Sequence, residues 1–315
     1  MNTPEISVVV PAFNESANLE PLVSRLLSGL RSLSCMCEIL IINDGSTDAT
    51  LKATAALESQ HPEVRAIHFA RNFGKEAALA AGMDAAIGRA TIFMDADLQH
   101  PPELVQQMVL AWRRGAQVVN AVKRRRSAEP LLYRWCAKLF NHSMSTALRS
   151  NMAGASDYKL LDRSVIQALL ECPERVRFFR GMVAWVGFRQ ERLEFDVPDR
   201  HAGQSSWSSL ALLRYTLRNL LAFSSAPLYW VAATGFMMAV LSFAMLVQTL
   251  YKYFIDGAAV GFTTVIALQV MLGGMVLSAL GVMAAYMALI YEEIKHRPLY
   301  IVNRPEDNTS SRLDQ

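Results

Sequence analysis

The sequence predicts an α/β protein with a mostly parallel sheet and helices on both faces, followed by two membrane-spanning helices. Three observations lead to this prediction. Short β-branched apolar runs alternate with helical patterns between residues 6 and 122. Polar loops follow four of the runs in succession. Near the C-terminus, residues 219–251 and 257–291 contain no charge, and each stretch exceeds the ~20 residues that a helix needs to cross a bilayer.

The first predicted strand is residues 6–10, which Pro11 ends, and a helical pattern begins at residues 14–16. Its apolar side chains recur at helical spacing, at Leu19, Leu22, Val23, Leu26, Leu27 and Leu30. Further strands are predicted at residues 38–42, 64–69, 90–94 and 117–122, with an alanine-rich helix at 74–87. This strict alternation predicts parallel pairing, because each helix carries the chain back to the same end of the sheet.

The run at residues 90–94 ends in a turn that carries two carboxylates, Asp95 and Asp97. Open α/β sheets bind their ligands at the C-terminal ends of strands. Hard oxygen ligands suit Mg²⁺ or Mn²⁺, and such an ion would in turn hold a substrate diphosphate. A solvated strand-to-helix loop is the alternative for this turn alone. Pro101 and Pro102 are expected in the first turn of the next helix, where a missing N–H costs nothing.

Composition narrows the functional classes. Hydrophobic residues make up 52% of the 315 residues, and the net charge of +3 gives no sign of a nucleic-acid partner. Residues 1–5 lack the features of a signal peptide. No Gly-x-Gly-x-x-Gly follows the first strand and no Gly-Lys-Ser/Thr loop exists, which excludes the common dinucleotide and P-loop sites. The cysteines show no zinc spacing and are expected to be buried free thiols of a reducing compartment: Cys35, Cys37, Cys136 and Cys172.

The two membrane spans are predicted at residues 228–250 and 263–289. Basic residues precede the first span and follow the second, whereas the loop near Asp256 carries little charge, so both ends are expected in the cytoplasm. Two buried helices of a soluble domain are the alternative. Residues 131–148 are expected to form an amphipathic helix. Residues 175–188 interleave basic and aromatic side chains, which suits either a membrane interface or a core helix with a solvated basic edge.

Four loops at the predicted strand ends together resemble a known family. They are Pro-Ala-Phe-Asn-Glu at residues 11–15, Asn-Asp-Gly-Ser at 43–46, Arg-Asn-Phe-Gly-Lys-Glu at 71–76 and Asp-Ala-Asp-Leu-Gln at 95–99. Later matches are Asp-Tyr-Lys-Leu-Leu-Asp-Arg at 157–163, Arg-Gly at 180–181, Arg-x-Ala-Gly-x-Ser at 200–205 and Lys-x-Arg-Pro-x-Tyr at 295–300. The chain is similar to family-2 glycosyltransferases of the dolichyl-phosphate mannose synthase type, and most closely to bactoprenol (undecaprenyl-phosphate) glucosyltransferases.

The resemblance implies a GT-A-like fold and four regions. Residues 1–200 would form a cytoplasmic catalytic domain, and residues 201–226 an acceptor loop with juxtamembrane amphipathic helices. Residues 227–291 would hold the transmembrane hairpin and residues 292–315 a cytoplasmic tail. The implied location is the bacterial inner (plasma) membrane, as a multi-pass protein. The glycines at 273, 274 and 281 also leave room for helix packing between protomers, so a homo-oligomer is possible.

The resemblance also implies roles for individual residues. Pro11, Asn14, Glu15 and Asp44 would line the nucleotide-sugar pocket, and Asp95, Asp97 and Gln99 would hold Mg²⁺ or Mn²⁺. The basic residues would meet the phosphates of donor and acceptor: Lys123, Arg124, Arg134 and Arg200. Asp157 would act as a base, an orienting group or a structural residue. Two positions depart from the family pattern: Asn43 replaces the usual Asp, and Ser206 replaces the usual Lys, which leaves one phosphate contact in doubt.

The implied reaction moves a hexose from a nucleotide sugar, with UDP-glucose as first choice, to polyprenyl phosphate with inversion, for modification of a cell-envelope glycan. UDP-N-acetylglucosamine and GDP-mannose remain alternative donors. A processive polysaccharide synthase is a second reading, although Leu131 stands where such enzymes carry Gln before Arg-Trp. A non-catalytic membrane scaffold is a third reading, but it would be expected to lose Asp95 or Asp97, and both are present.

Overall fold

The computed structural model describes residues 3–123, 155–172, 174–175, 177–195, 226–256 and 262–303. The chain divides into two compact units. One comprises residues 1–208 together with 297–315, and the other comprises residues 209–296. The second unit is therefore inserted between two portions of the first.

The described part of the first unit contains one seven-stranded sheet. Its strands are β1 (Ile6–Ala12), β2 (Cys37–Asn43), β3 (Val64–His68), β4 (Ala90–Phe93), β5 (Val118–Lys123), β6 (Ala155–Asp162) and β7 (Gln190–Phe195). They are ordered β3-β2-β1-β4-β6-β5-β7. The four pairs β1–β2, β1–β4, β2–β3 and β5–β7 are parallel, so the predicted mostly parallel sheet is confirmed.

The alternation predicted between residues 6 and 122 is confirmed, and the sheet also contains a strand that this prediction did not include. Strand β6 lies between β4 and β5 and is antiparallel to both. It comes after β5 in the chain but takes the position between β4 and β5 in the sheet. The sheet is consequently mixed, and the N-terminal part of β6 lies beside the C-terminal end of β4.

Helices cover both faces of the sheet, as predicted. They are α1 (Ser16–Ser32), α2 (Thr50–Gln60), α3 (Lys75–Ala85), α4 (Leu104–Arg113), α5 (Arg163–Leu170) and α6 (Phe179–Trp185). Alternate residues of a strand point to opposite faces. Val8 accordingly belongs to the core that contains Leu22 of α1 and Met108 of α4. Val9 faces the other way, against Gly82 of α3, and on that same side Phe93 contacts Phe179 of α6 at 4.8 Å.

The structure corrects the predicted start of helix α4 and decides between the two interpretations of residues 175–188. Helix α4 begins at Leu104 and not at Pro101, because the prolines form a preceding turn in which the Leu104 N–H donates to the Pro101 carbonyl. In the stretch at 175–188, α6 is a core helix, since Phe179 and Met182 are buried.

The amphipathic helix expected at 131–148 lies outside the described residues, as does Cys136. Cys35, Cys37 and Cys172 are free thiols; Cys35 and Cys172 are buried and Cys37 is half-buried.

The second unit contains two long apolar helices, α7 (Ala226–Asp256) and α8 (Phe262–Ile294). Their apolar segments, Pro227–Met245 and Leu268–Ile294, have mean hydropathies of 1.7 and 1.9. Almost no residue of either segment is buried, so neither is a core helix within the described part of the chain. Both helices are long and apolar enough to form a transmembrane hairpin, as predicted.

Candidate active site

The candidate site lies where β1, β2, β3 and β4 end. These strands run parallel, so the loops that follow them meet at one edge of the sheet. Strand β6 brings a further residue to this edge. Its antiparallel register pairs Phe93 with Lys159, and two residues further along both strands this register places Asp157 opposite Asp95.

Lys75 joins the two carboxylates. It is the first residue of α3, and its Nζ lies 2.5 Å from Asp95 Oδ1 and 2.7 Å from Asp157 Oδ2. Asp157 is buried and receives a second cation, because Arg180 of α6 donates to both of its oxygens at 2.6 and 2.9 Å. Glu76 fixes the start of α6 relative to the start of α3, since its Oε2 accepts from the Phe179 N–H at 2.9 Å. The result is a compact cluster of alternating charges.

These cations control the protonation of the carboxylates. Burial opposes the ionisation of Asp157, but Arg180 and Lys75 outweigh it and hold the Asp157 pKa well below its usual range. Burial likewise opposes ionisation of Asp95, whose pKa is lowered by Lys75 and His100. The Lys75 pKa is raised, because the attraction of both carboxylates exceeds the effect of burial. The cluster is therefore fully ionised at neutral pH, and Asp157 is a weak proton acceptor.

The turn that carries Asp95 and Asp97 is held by its own polar groups. The His100 ring accepts from the Asp95 N–H through Nδ1 at 3.0 Å, and the same ring stacks on Tyr158 at 4.8 Å. The Gln99 N–H donates to Asp97 Oδ1 at 3.1 Å. Leu98 has a φ of 59°, a left-handed conformation that such contacts must stabilise in a non-glycine residue. The acidic turn is consequently an ordered element of the sheet edge.

The residues of this turn fit the divalent ion that the resemblance implies. Asp95 and Asp97 offer hard carboxylate oxygens, and a monocation, the Lys75 ammonium, already lies against Asp95. Within the described ranges no group of three or more acidic, His or Cys side chains surrounds one point. A site with two protein carboxylates suits Mg²⁺ or Mn²⁺, which commonly takes its remaining ligands from water and substrate phosphates. Gln99 orders Asp97 through its backbone, and its predicted role as a ligand stays a prediction.

The residues predicted to line the nucleotide pocket link three loops. Asn14, with a φ of 58°, accepts through Oδ1 from the Thr47 N–H at 2.9 Å and so ties the first loop to the second. Asp44 accepts from the N–H groups of Phe73 and Gly74 at 2.7 and 2.9 Å, which ties the second loop to the third. Burial raises the Asp44 pKa against the effect of these two donors.

The remaining predicted residues are placed as follows. Pro11 lies in β1 opposite Ile42 of β2, and Glu15 accepts from Asn18 Nδ2 at 2.6 Å. Asn43, the departure from the family pattern, accepts from the Ser46 N–H at 3.0 Å. Lys123 ends β5, but its side chain is outside the described part of the structure. The other predicted basic residues and the Ser206 position also lie outside the described residues: Arg124, Arg134 and Arg200.

Lys75, Arg180 and His100 were not assigned roles from the sequence. Lys75 and Arg180 belong to the motifs at 71–76 and 180–181, and His100 directly follows the motif at 95–99, so the available signal was a charged or polar residue in or beside a motif. The sequence does not show which residue each of them contacts. Lys75 and Asp157 are 82 positions apart and meet only because β6 pairs with β4. Buried Lys159 is a further residue to which the sequence assigned no role. It donates to Asn120 Oδ1, and burial lowers its pKa to about 7.

The chain is similar to known glycosyltransferases. The chain is 39% identical over 303 residues to an uncharacterized glycosyltransferase of Synechocystis, covering 96% of this chain and 95% of that protein. It is 35% identical to the bactoprenol glucosyl transferase of Shigella phage SfV, covering 95% and 98%. A solved glucosyl-3-phosphoglycerate synthase of Mycobacterium tuberculosis aligns at a TM-score of 0.48 and 22% identity, over 70% of this chain and 79% of that one. The profile described as glycosyl transferase family 2 matches residues 7–170. The chain belongs to glycosyl transferase family 2 and is a glycosyltransferase.

Proposed function

We propose that this enzyme transfers glucose from UDP-glucose to a polyprenyl phosphate such as undecaprenyl phosphate. The proposal rests on sequence similarity: the chain is 34–35% identical, over 95% of its length, to relatives named bactoprenol glucosyl transferase. The similarity spans the catalytic unit and both long helices, so it includes the region that would meet a lipid acceptor. The product would be a lipid-linked sugar for modification of a cell-envelope glycan.

The ionised cluster suits this acceptor. The second pKa of a phosphate monoester is about 6, so the acceptor phosphate is already a nucleophile at neutral pH. A general base is then unnecessary, which agrees with an Asp157 whose pKa is held low by Arg180 and Lys75. We propose that Asp157 orients these two cations. Direct displacement by the phosphate oxygen inverts the anomeric carbon and gives a β-linked product from an α-linked donor.

The chain supplies electrostatic positioning for two anionic reactants. Asp95 and Asp97 would hold Mg²⁺ or Mn²⁺, and that ion would neutralise charge on the departing nucleoside diphosphate. Lys75 contacts Asp95 at 2.5 Å and is the described cation best placed to contact the same diphosphate. Asn14 and Asp44 fix the loops that would surround the nucleotide. Arg134 and Arg200 are proposed to meet the acceptor phosphate, with Lys123 and Arg124 nearer the donor.

The long helices are proposed to cross the inner membrane as a pair, with the catalytic unit in the cytoplasm. Residues 1–208 and 297–315, which lie on either side of the helix pair in the chain, belong to the same folded unit, so both portions would lie on one side of the membrane. The intervening segment then crosses an even number of times. The basic residues Arg214 and Arg218 before the pair, and Lys295 and Arg297 after it, support a cytoplasmic position for that side.

The test is a donor panel. Purified protein in detergent is incubated with undecaprenyl phosphate and radiolabelled UDP-glucose, UDP-N-acetylglucosamine or GDP-mannose, and lipid-phase label is measured. We expect label from UDP-glucose. Label from another donor alone would correct the sugar, and long polymer instead of a single transferred residue would identify a processive synthase. Absence of lipid-phase label with all three donors would contradict the proposed acceptor.

A further inference from the structure

The segment that follows α8 returns to the edge of the sheet. Strand β3 is an edge strand of the described sheet, and Phe69, the residue after it, forms an antiparallel bridge with Val302. The Ala70 N–H donates to the Ile301 carbonyl at 2.9 Å, and the Asn303 N–H donates to the His68 carbonyl at 2.8 Å. Residues 297–303, here called the return segment, thus extend the sheet by a short backbone pairing.

Tyr300 adds two side-chain contacts to this pairing. Its ring stacks on Phe69, with centroids 5.0 Å apart and planes 12° from parallel. Its hydroxyl donates to Asp84 Oδ2 at 2.8 Å. Burial and the Asp84 carboxylate raise the Tyr300 pKa, so the phenol remains a donor at physiological pH. Asp84 lies near the C-terminal end of α3, and Tyr300 therefore connects the sheet edge to this helix.

These contacts flank the third site loop on both sides. Phe69 and Ala70 directly precede the loop at residues 71–74, and α3 directly follows it. Phe69 also contacts Phe73 edge-on at 5.8 Å. Phe73 and Gly74 donate to Asp44, and Lys75 reaches the two site carboxylates. A chain anchored before the loop and after it has few conformations left, which lowers the entropy cost of holding Lys75 in place.

We propose that Tyr300 is a positioning residue for the nucleotide-sugar site. It holds the loop at 71–74 through Phe69, and it holds helix α3, which carries the Lys75 ammonium, through Asp84 near the C-terminal end of that helix. Both contacts keep Lys75 in the geometry that binds the donor diphosphate. The inference rests on the proposed function for the identity of the ligand. The return segment then has a role beyond covering a sheet edge, because a cover alone would affect stability without changing this loop in particular.

The test compares Tyr300→Phe with Trp112→Phe in the full-length protein in detergent. Tyr300→Phe keeps the ring stack and removes only the hydroxyl that donates to Asp84. Trp112→Phe is the matched control, because it removes an aromatic donor to a carboxylate, Asp162 Oδ2 at 2.7 Å. Asp162 pairs with Ala90 at the start of β4, the opposite end of that strand from the site. Amide hydrogen exchange at Phe73 and Gly74 and calorimetric affinity for UDP and GDP are measured.

We expect Tyr300→Phe to accelerate exchange at Phe73 and Gly74 and to weaken nucleotide binding about 3- to 10-fold, the range that corresponds to the net contribution of one typical intramolecular hydrogen bond. Trp112→Phe should leave both quantities unchanged. Wild-type exchange and affinity in Tyr300→Phe would overturn the inference, as would equal changes in both variants, which would indicate a global loss of stability. If the wild-type protein binds neither nucleotide, the proposed function fails, whereas exchange at Phe73 and Gly74 still decides whether Tyr300 positions the loop.

Discussion

The Lys75 ammonium lies 2.7 Å from Asp157 Oδ2, although the two residues belong to different elements that are far apart in sequence. Arg180 contacts the same carboxylate. Asp157 is therefore surrounded by cations and is poorly suited to remove a proton. In the proposed reaction the acceptor arrives already ionised, so the function of this carboxylate is to hold two cations where two phosphate groups must approach each other.

Lys75→Met should reduce transfer by about 100-fold or more, the usual effect of losing one electrostatic contact to the reacting groups. The substitution also leaves Asp95 without its cation. Lys52→Met, at an exposed position of α2, is the matched control and should retain activity. Steady-state rates with undecaprenyl phosphate test whether Lys75 contributes to transfer, and circular dichroism checks that the variant is folded. A well-folded Lys75→Met enzyme with normal turnover would remove Lys75 from the site.

Asp97→Asn should abolish transfer while the protein remains folded and membrane-inserted, because a neutral amide is a poor ligand for a hard divalent ion. EDTA should inactivate the wild-type enzyme, and Mg²⁺ or Mn²⁺ should restore it. Glu20→Gln, at an exposed position of α1, controls for the loss of a negative charge. Full activity of Asp97→Asn, or of wild type in EDTA, would show that the acidic turn binds no catalytic metal.

Buried Lys159 should make stability depend on pH. Its pKa is lowered to about 7 in the folded chain, against about 10.4 in an unfolded one. Between these values the unfolded state binds one more proton, so stability rises with pH by up to about 1.4 kcal/mol per unit. Lys159→Met should lack this contribution in chemical denaturation between pH 7 and pH 10, whereas Lys52→Met should keep it. Identical slopes in wild type and Lys159→Met would contradict the lowered pKa.

The topology can be read with reporter fusions. Because residues on both sides of the helix pair fold into one unit, reporters at Met1 and after Gln315 should both be cytoplasmic. A reporter near Asp256, between the helices, should be external. A C-terminal reporter that is active only outside would show that one of the two spans does not cross, and it would leave the catalytic account unaffected.

Arg200 is proposed to bind the acceptor phosphate. Arg200→Ala should therefore impair transfer to undecaprenyl phosphate far more than it impairs calorimetric binding of the sugar nucleotide. The rate is measured over a range of lipid concentrations, since a weaker acceptor site raises the concentration needed for half-maximal rate. Normal turnover at every lipid concentration would exclude Arg200 as a phosphate ligand.

Much of the fold was predictable because its signals are local. The β-branched runs of β1, β2 and β4 and the apolar stripe of α1 appear directly in the residue order. The Asp95 turn was predictable for the same reason, since it ends one such run. Antiparallel β6 was not, because the pattern of a strand does not identify its neighbour. The contact of Lys75 with Asp157 depends on that pairing, and the contact of Tyr300 with Phe69 depends on the bridge between Phe69 and Val302. Both join residues far apart in the chain, so they required the structure.

The most direct test of the account is the chemical identity of the nucleophile. Purified enzyme, radiolabelled UDP-glucose and a divalent metal are incubated with undecaprenyl phosphate or with undecaprenol, which has the same chain and no phosphate, and glucose in the lipid phase is measured. The account predicts transfer to undecaprenyl phosphate alone, with inverted configuration and a rate that falls as pH drops through the acceptor's second pKa of about 6. Equal transfer to undecaprenol would contradict it, because an alcohol acceptor requires the general base that the ion-paired Asp157 does not provide.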